Sequence, residues 1–150
     1  MDSSSLKWDT GLEPYVTAIE VKPEHMDVFG HTNNVIYVGW MEDASWAHSA
    51  TLGLDWEAFQ AVNRIMVARR HEVDYLAPTF AGDQLILGTW ISGNDRRLTV
   101  YRDYQIIRPQ DGVTVLRGRT KWICVALDTG RPKRMPVHFA DGYKIFPGSQ

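Results

Sequence analysis

An acid, Asp27, lies seven residues before Asn34, the position at which a helical apolar pattern begins. Between them run Gly30, His31, Thr32 and Asn33, a set that favours a turn followed by a helix start. The first turn of a helix exposes unpaired backbone N–H groups and a partial positive charge. A carboxylate held opposite such an end can attack a carbonyl, or activate water against one, while the carbonyl oxygen rests on those N–H groups. The chemistry that this spacing fits is acyl transfer to water. Asp27 is the expected nucleophile or general base, and the backbone N–H groups of Asn34 and Val35 are the expected oxyanion donors. Neither a metal nor a cofactor is called for. The competing role for Asp27 is to cap its own loop or pair with a base, and for Asn33 and Asn34 it is only to cap the helix.

The elements that position these residues follow from hydropathy periodicity. Residues 1–14 are polar and read as a loose tail, leaving one domain over 15–146. A strand is expected at 15–21, closed off by Pro23. A helix is expected over 34–52, N-capped by Asn33 and stopped by Gly53. Two rows, Ile36–Trp40–Ala44–Ala47–Thr51 and Tyr37–Met41–Ala44–His48–Leu52, predict a wide apolar face and a central helix. Everything after it reads as strands, at 65–75, 83–92, 98–108 and 113–127, with hairpin signals at Gly93-Asn94-Asp95 and Pro109-Gln110-Asp111-Gly112. A short helical turn is expected within 135–146. The order predicts an α+β fold, a five-stranded antiparallel sheet wrapped around one long central helix. Such a sheet has open edges, and edges pair, so self-association is expected.

Composition narrows the partners. Of the 150 residues 44% are apolar and 23% charged, and the net charge of −2 gives no basic excess for nucleic acid. A single cysteine, Cys124, excludes an internal disulfide and any zinc site built on several thiolates. Without a run of 18 apolar residues, no membrane span is expected. With no signal-like segment at the start either, a cytoplasmic setting is expected.

The motif Asp27-x-x-Gly30-His31-x-Asn33-Asn34-x-x-Tyr37 resembles that of the hotdog-fold acyl-CoA thioesterases of the 4-hydroxybenzoyl-CoA thioesterase type. The resemblance extends over about 14–140. It includes Trp40-Met41-Glu42, the Asp74-Tyr75-Leu76-Ala77-Pro78 strand end, Gly82-Asp83 and the Arg131-Pro132-x-Arg134-Met135-Pro136 segment. It implies a hotdog fold and hydrolysis of an acyl-CoA to a carboxylic acid and coenzyme A, the latter part of the substrate rather than a cofactor. It further implies a homodimer or homotetramer with each site between two subunits. Asp27 matches the catalytic carboxylate, and the amide near Asn34 the oxyanion donor. Gly30, His31 and Tyr37 belong to the same motif and are expected around the substrate.

Arg131 and Arg134 form a basic cluster with Lys133 that could meet coenzyme A phosphates, or could equally be a solvated turn. The same choice holds for Arg96-Arg97. His31 is expected to order its loop by hydrogen bonds more than to act as a base. Glu42 is the second candidate acid. His48 reads as a core histidine, His71 as a sheet or interface residue, and Cys124 as a small buried apolar group. The aromatics Tyr37, Trp40, Trp46, Trp56 and Phe59 fit either the core or an acyl pocket. Two other functions remain open on sequence: action on an acyl carrier protein thioester, and non-catalytic acyl-CoA binding.

Overall fold

The structure, a computed structural model, describes residues 2–149. Its five strands are β1 (Tyr15–Glu20), β2 (Ile65–Tyr75), β3 (Gln84–Asn94), β4 (Thr99–Arg108) and β5 (Val113–Val125), antiparallel in the order β1-β3-β4-β5-β2. Helix α1 (Asn34–Thr51) fills the concave face, as expected for a hotdog fold. Two short helices, α2 (Trp56–Val62) and α3 (Val137–Gly142), close one end of the sheet. Among the described residues no helix is long and apolar enough to cross a membrane.

Helix α1 starts where its cap dictates. The Asn33 side chain accepts from Val35 N at 3.0 Å, which holds the first turn in place although Val35, Ile36 and Val38 are β-branched. Its buried residues, Tyr37, Met41, Ala44, Ser45 and Ser49, make one stripe. That stripe meets Val21, Leu85, Leu87, Tyr104, Ile106 and Leu116 in the main core. The wide apolar face predicted from two rows is therefore narrower. Ala47, Thr51 and Leu52 are exposed, while Ile36 and Trp40 are half-buried. A second core beneath α2 and α3 contains Leu54, Phe59, Met66, Trp122, Cys124, Phe139 and Tyr143.

Helix α2 corrects the expectation of strands alone after α1. Asp55 caps it, accepting from Ala58 N at 3.0 Å, and Phe59 anchors it in the second core. Strand β3 also extends through Gly93 and Asn94. The turn begins two residues later, where Asp95 accepts from the N–H groups of Arg97, Leu98 and Thr99.

The tail expected to be loose is packed. Trp8 is 6% exposed and lies against Gly88 on the convex face of the sheet. A Cβ at position 88 would come 2.6 Å from the Trp8 ring, so only glycine admits this approach. Asp9 N donates to Gln105 Oε1 at 2.8 Å, and the Asp9 carboxylate takes a bidentate pair from Arg117 at 2.7 and 2.9 Å. Gly88, Gln105 and Arg117 are cross-strand neighbours, so this segment crosses three strands as a strap. Long-range contact with Gly88 and Gln105 overrode the local polarity of the segment.

Strand β2 bounds the sheet on one side, and among the described residues nothing pairs with its outer edge over its 11 residues. Most of its side chains are exposed, in contrast to the buried centre of β3 and β4.

Candidate functional site

The loop between β1 and α1 is tied down by its own backbone. Asp27 N donates to His31 O at 2.7 Å, and Gly30 N to Asp27 O at 3.1 Å. Gly30 sits at φ +77, a conformation that side-chain-bearing residues rarely adopt. Within this turn Asp27 Oδ1 accepts from Phe29 N at 2.9 Å and His31 N at 3.1 Å. Its Oδ2 has no hydrogen-bond partner among the described residues. The two roles considered for Asp27 thus fall on different atoms: one oxygen fixes the turn and the carboxylate's direction, and the other is left available.

The loop is fastened to the sheet through Thr79, which is fully buried. Thr32 N donates to Thr79 O at 3.0 Å, and the Thr32 hydroxyl lies 3.1 Å from the same oxygen and 2.6 Å from the Thr79 hydroxyl. The Tyr37 hydroxyl lies 2.7 Å from the Thr79 hydroxyl. One threonine therefore holds both the Asp27 loop and the first turn of α1. Tyr75, at the end of β2, donates its hydroxyl to Asn34 O at 3.1 Å.

An open cleft of about 240 Å³ is lined by Asp27, His31, Asn34, Tyr37 and Tyr75, with Thr32, Leu76, Ala77 and Pro78 completing it. The structure brings together Asp27, Gly30, His31, Asn34 and Tyr37 as the motif spacing suggested. Tyr37 contributes its ring to the wall, stacked edge-on against Tyr75 at 5.6 Å, while its hydroxyl is committed to Thr79. His31 orders the loop through its backbone rather than its ring, which rests edge-on against Phe80 at 5.3 Å.

Three expectations change. Val35 N is taken by the Asn33 side chain, so the cap consumes one of the two predicted oxyanion donors. Asn34 N has no acceptor among the described residues and is the free amide at this helix end. Arg131 and Arg134 are exposed and do not line the cleft. They follow β5, whose Val125 pairs with Ile65 at the start of β2, whereas the cleft is at the Tyr75 end. Ten strand steps separate those ends, about 30 Å.

The second candidate acid, Glu42, is outside the cleft, with Oε1 3.6 Å from Nε2 of His71. The other His71 nitrogen lies 2.8 Å from the Thr120 hydroxyl, so His71 bridges α1 and the sheet near the middle of β2. His48 is satisfied as a core histidine: Nδ1 accepts from Arg102 Nη1 at 2.7 Å, and the ring stacks on Tyr15 at 4.8 Å. Burial, reinforced by the Arg102 charge, lowers its pKa to about 4. Cys124 is buried, and burial raises its thiol to about 11, which leaves it unreactive at neutral pH. Thr79 was not singled out from sequence, and Tyr75 entered only as part of a strand end, with no role at the site. Their signal was the strand end Tyr75-Leu76-Ala77-Pro78, which forces the chain to turn beside the helix start.

A central helix wrapped by an antiparallel sheet, with an acid and the helix N-terminus lining one cleft, defines a hotdog-type protein. The chain belongs to the thioesterase-like superfamily, whose model matches residues 21–142. Its fold is similar to that of a 1,4-dihydroxy-2-naphthoyl-CoA thioesterase from Synechocystis (17% identity, TM-score 0.76, covering 86% of this chain and 94% of that one). It is similar to a DHNA-CoA thioesterase from Staphylococcus aureus (25% identity, TM-score 0.75, covering 84% and 83%). It is also similar to a hypothetical protein from Staphylococcus aureus solved in complex with CoA (16% identity, TM-score 0.79, covering 85% and 80%). No protein of curated function matches the chain.

Proposed function

We propose that this protein is an acyl-CoA thioesterase, with Asp27 as its catalytic carboxylate. The observation that carries the reading is the division of labour at Asp27. Oδ1 is pinned by two backbone N–H groups and Oδ2 is unpaired, in a cleft shared with the free amide of Asn34. Pinning one oxygen fixes the other before substrate arrives, which lowers the reorganisation needed during reaction.

A thioester suits this arrangement because sulfur donates weakly into the carbonyl and a thiolate leaves readily. In the water route, Oδ2 removes a proton as water oxygen bonds to the carbonyl carbon. The carbonyl oxygen gains charge against Asn34 N–H, and the C–S bond then breaks to release the thiolate of coenzyme A. In the covalent route Oδ2 itself bonds to the carbonyl carbon and expels the thiolate, and water cleaves the resulting anhydride. An amide donor of this kind is worth about 3 kcal/mol of barrier.

The open edge of β2 supports a homodimer. Antiparallel pairing of β2 with its copy would set the start of one strand beside the end of the other. Arg131 and Arg134 would then approach the second copy's cleft, where they could meet the phosphates of coenzyme A. The superfamily match and the neighbour that holds CoA support this substrate class.

The test is thiol release from short, long and aromatic acyl-CoA thioesters, with the matching acyl carrier protein thioesters alongside. Saturable release from at least one acyl-CoA is the expected result. Release from carrier protein alone would move the carrier assignment. Tight binding with no release from any thioester would overturn hydrolysis.

A further inference from the structure

Arg102, on the inner face of β4, is 2% exposed. Its Nη1 donates to His48 Nδ1 at 2.7 Å and to Thr89 Oγ1 at 3.3 Å, both uncharged acceptors. Among the described residues no carboxylate pairs with it. By contrast Arg70, Arg96, Arg108, Arg117 and Arg119 each face an acid. A guanidinium is charged throughout the pH range in which proteins fold, and a buried charge requires a partner. Arg64, Arg69, Arg97, Arg131 and Arg134 also have no acid partner among the described residues, but each is more exposed, so Arg102 is the buried cation without a counter-charge.

A second orphan lies beside it. Trp122 Nε1 is the single fully buried side-chain polar atom that completes no well-formed hydrogen bond among the described residues; the Tyr104 hydroxyl beside it is engaged by Ser45 at 2.7 Å. Arg102 and Trp122 line the same small cavity, with Ser45, Ser49 and Tyr143 at its polar wall. The serine hydroxyls are already spent: Ser45 donates to Met41 O at 2.8 Å and Ser49 to Leu54 O at 2.7 Å. The Tyr104 and Tyr143 hydroxyls lie against Ser45 and Ser49 at 2.7 and 2.8 Å. The donors left over are the guanidinium and the indole.

The space available to the centre of a water-sized sphere is about 10 Å³, room for one such particle. A water would accept both hydrogen bonds but leave the positive charge uncompensated. A monatomic anion meets size, donor chemistry and charge together. Trp46 forms the outer wall and is 37% exposed, so exchange with solvent needs only side-chain movement.

We infer that this cavity is a halide site, occupied by chloride at ordinary salt, with Arg102 and Trp122 as its N–H donors. The site stands apart from the Asp27 cleft: it lies under the C-terminal half of α1, and its occupancy is independent of the thioesterase reading.

The test uses the full chain exchanged into sodium gluconate. Thermal unfolding is followed as gluconate is replaced by chloride or bromide at constant ionic strength, and crystals grown in bromide are measured at the bromine absorption edge. The expected results are a saturable rise in Tm with either halide, and one anomalous peak within hydrogen-bond reach of Arg102 and Trp122. Trp122→Phe retains the guanidinium and should weaken the apparent halide affinity about tenfold or more. Arg102→Met keeps the apolar stem and should abolish the response. If that variant does not fold, the bromide crystal of the unmodified protein decides the matter. Equal Tm in gluconate and bromide, with water in the cavity and no anomalous peak, would overturn the inference.

Discussion

Replacing Thr79 by valine keeps the volume of the side chain and removes one hydroxyl. That hydroxyl touches two others, Thr32 at 2.6 Å and Tyr37 at 2.7 Å, and the residue is fully buried. Thr32 retains the Thr79 carbonyl at 3.1 Å, so it stays satisfied. Tyr37 has no such second partner, and its buried phenol is orphaned. An unsatisfied buried hydroxyl costs about 1–3 kcal/mol, and the lost Thr32 contact adds a fraction of that. We expect Thr79→Val to destabilise by about 2 kcal/mol, lowering Tm by about 4–8 °C for a chain of this size.

Tyr37→Phe alone should cost about 1 kcal/mol, since the Thr79 hydroxyl keeps Thr32 as partner. The double variant should cost no more than Thr79→Val, because the orphan has been removed together with its partner. Urea denaturation of the four proteins closes the cycle. Because Thr79 holds the Asp27 loop, Thr79→Val should also lower kcat more than it raises KM for the best thioester. Additive stability losses, or a Thr79→Val protein as stable and active as its parent, would refute the idea that one threonine fastens loop to helix.

The neutral His48 makes stability depend on pH. Its pKa falls from 6.5 unfolded to about 4 folded, so the unfolded chain binds the extra proton between those values. The stabilisation is complete above about pH 6.5 and is lost as pH drops toward 4. Full burial would set it at about 3 kcal/mol, and partial exposure of the ring reduces it to about 2 kcal/mol. His48→Gln should flatten that part of the stability–pH curve in urea titrations, and an unchanged slope would contradict the assignment. Trp8→Ala should cost about 3 kcal/mol by emptying the contact with Gly88. A change below about 0.5 kcal/mol, the range of ordinary surface substitutions, would mean that the N-terminal strap contributes nothing to stability.

Where local chemistry set the structure, the sequence was readable. Asn33 marks the start of α1 because its short side chain reaches an N–H two residues on, and β2 ends at Tyr75 because Pro78 stops the ladder soon after. The Asp27 turn was legible from Gly30 and the asparagine pair. Other features depend on partners distant in sequence. Trp8 lies in a largely polar segment, and its close approach to Gly88, opposite it on the sheet, explains its burial. Helix α2 has seven residues, too few for a periodic pattern to stand out from strand-like neighbours. Whether the Asn33 cap or a substrate takes Val35 N–H is decided by side-chain geometry, which the residue types leave open. The distance between Arg131 and the cleft comes from the antiparallel pairing of β2 with β5, a property of topology rather than of any local motif.

The role of Asp27 is tested most directly by Asp27→Asn. The amide oxygen can still accept from Phe29 N and His31 N, so the turn and the fold should survive while the anionic oxygen is lost. With the best acyl-CoA substrate in hand, kcat should fall by about 10³-fold or more, about 4 kcal/mol of barrier, with Tm and oligomer size unchanged. A folded Asp27→Asn protein that releases thiol at close to the parent rate would contradict the account.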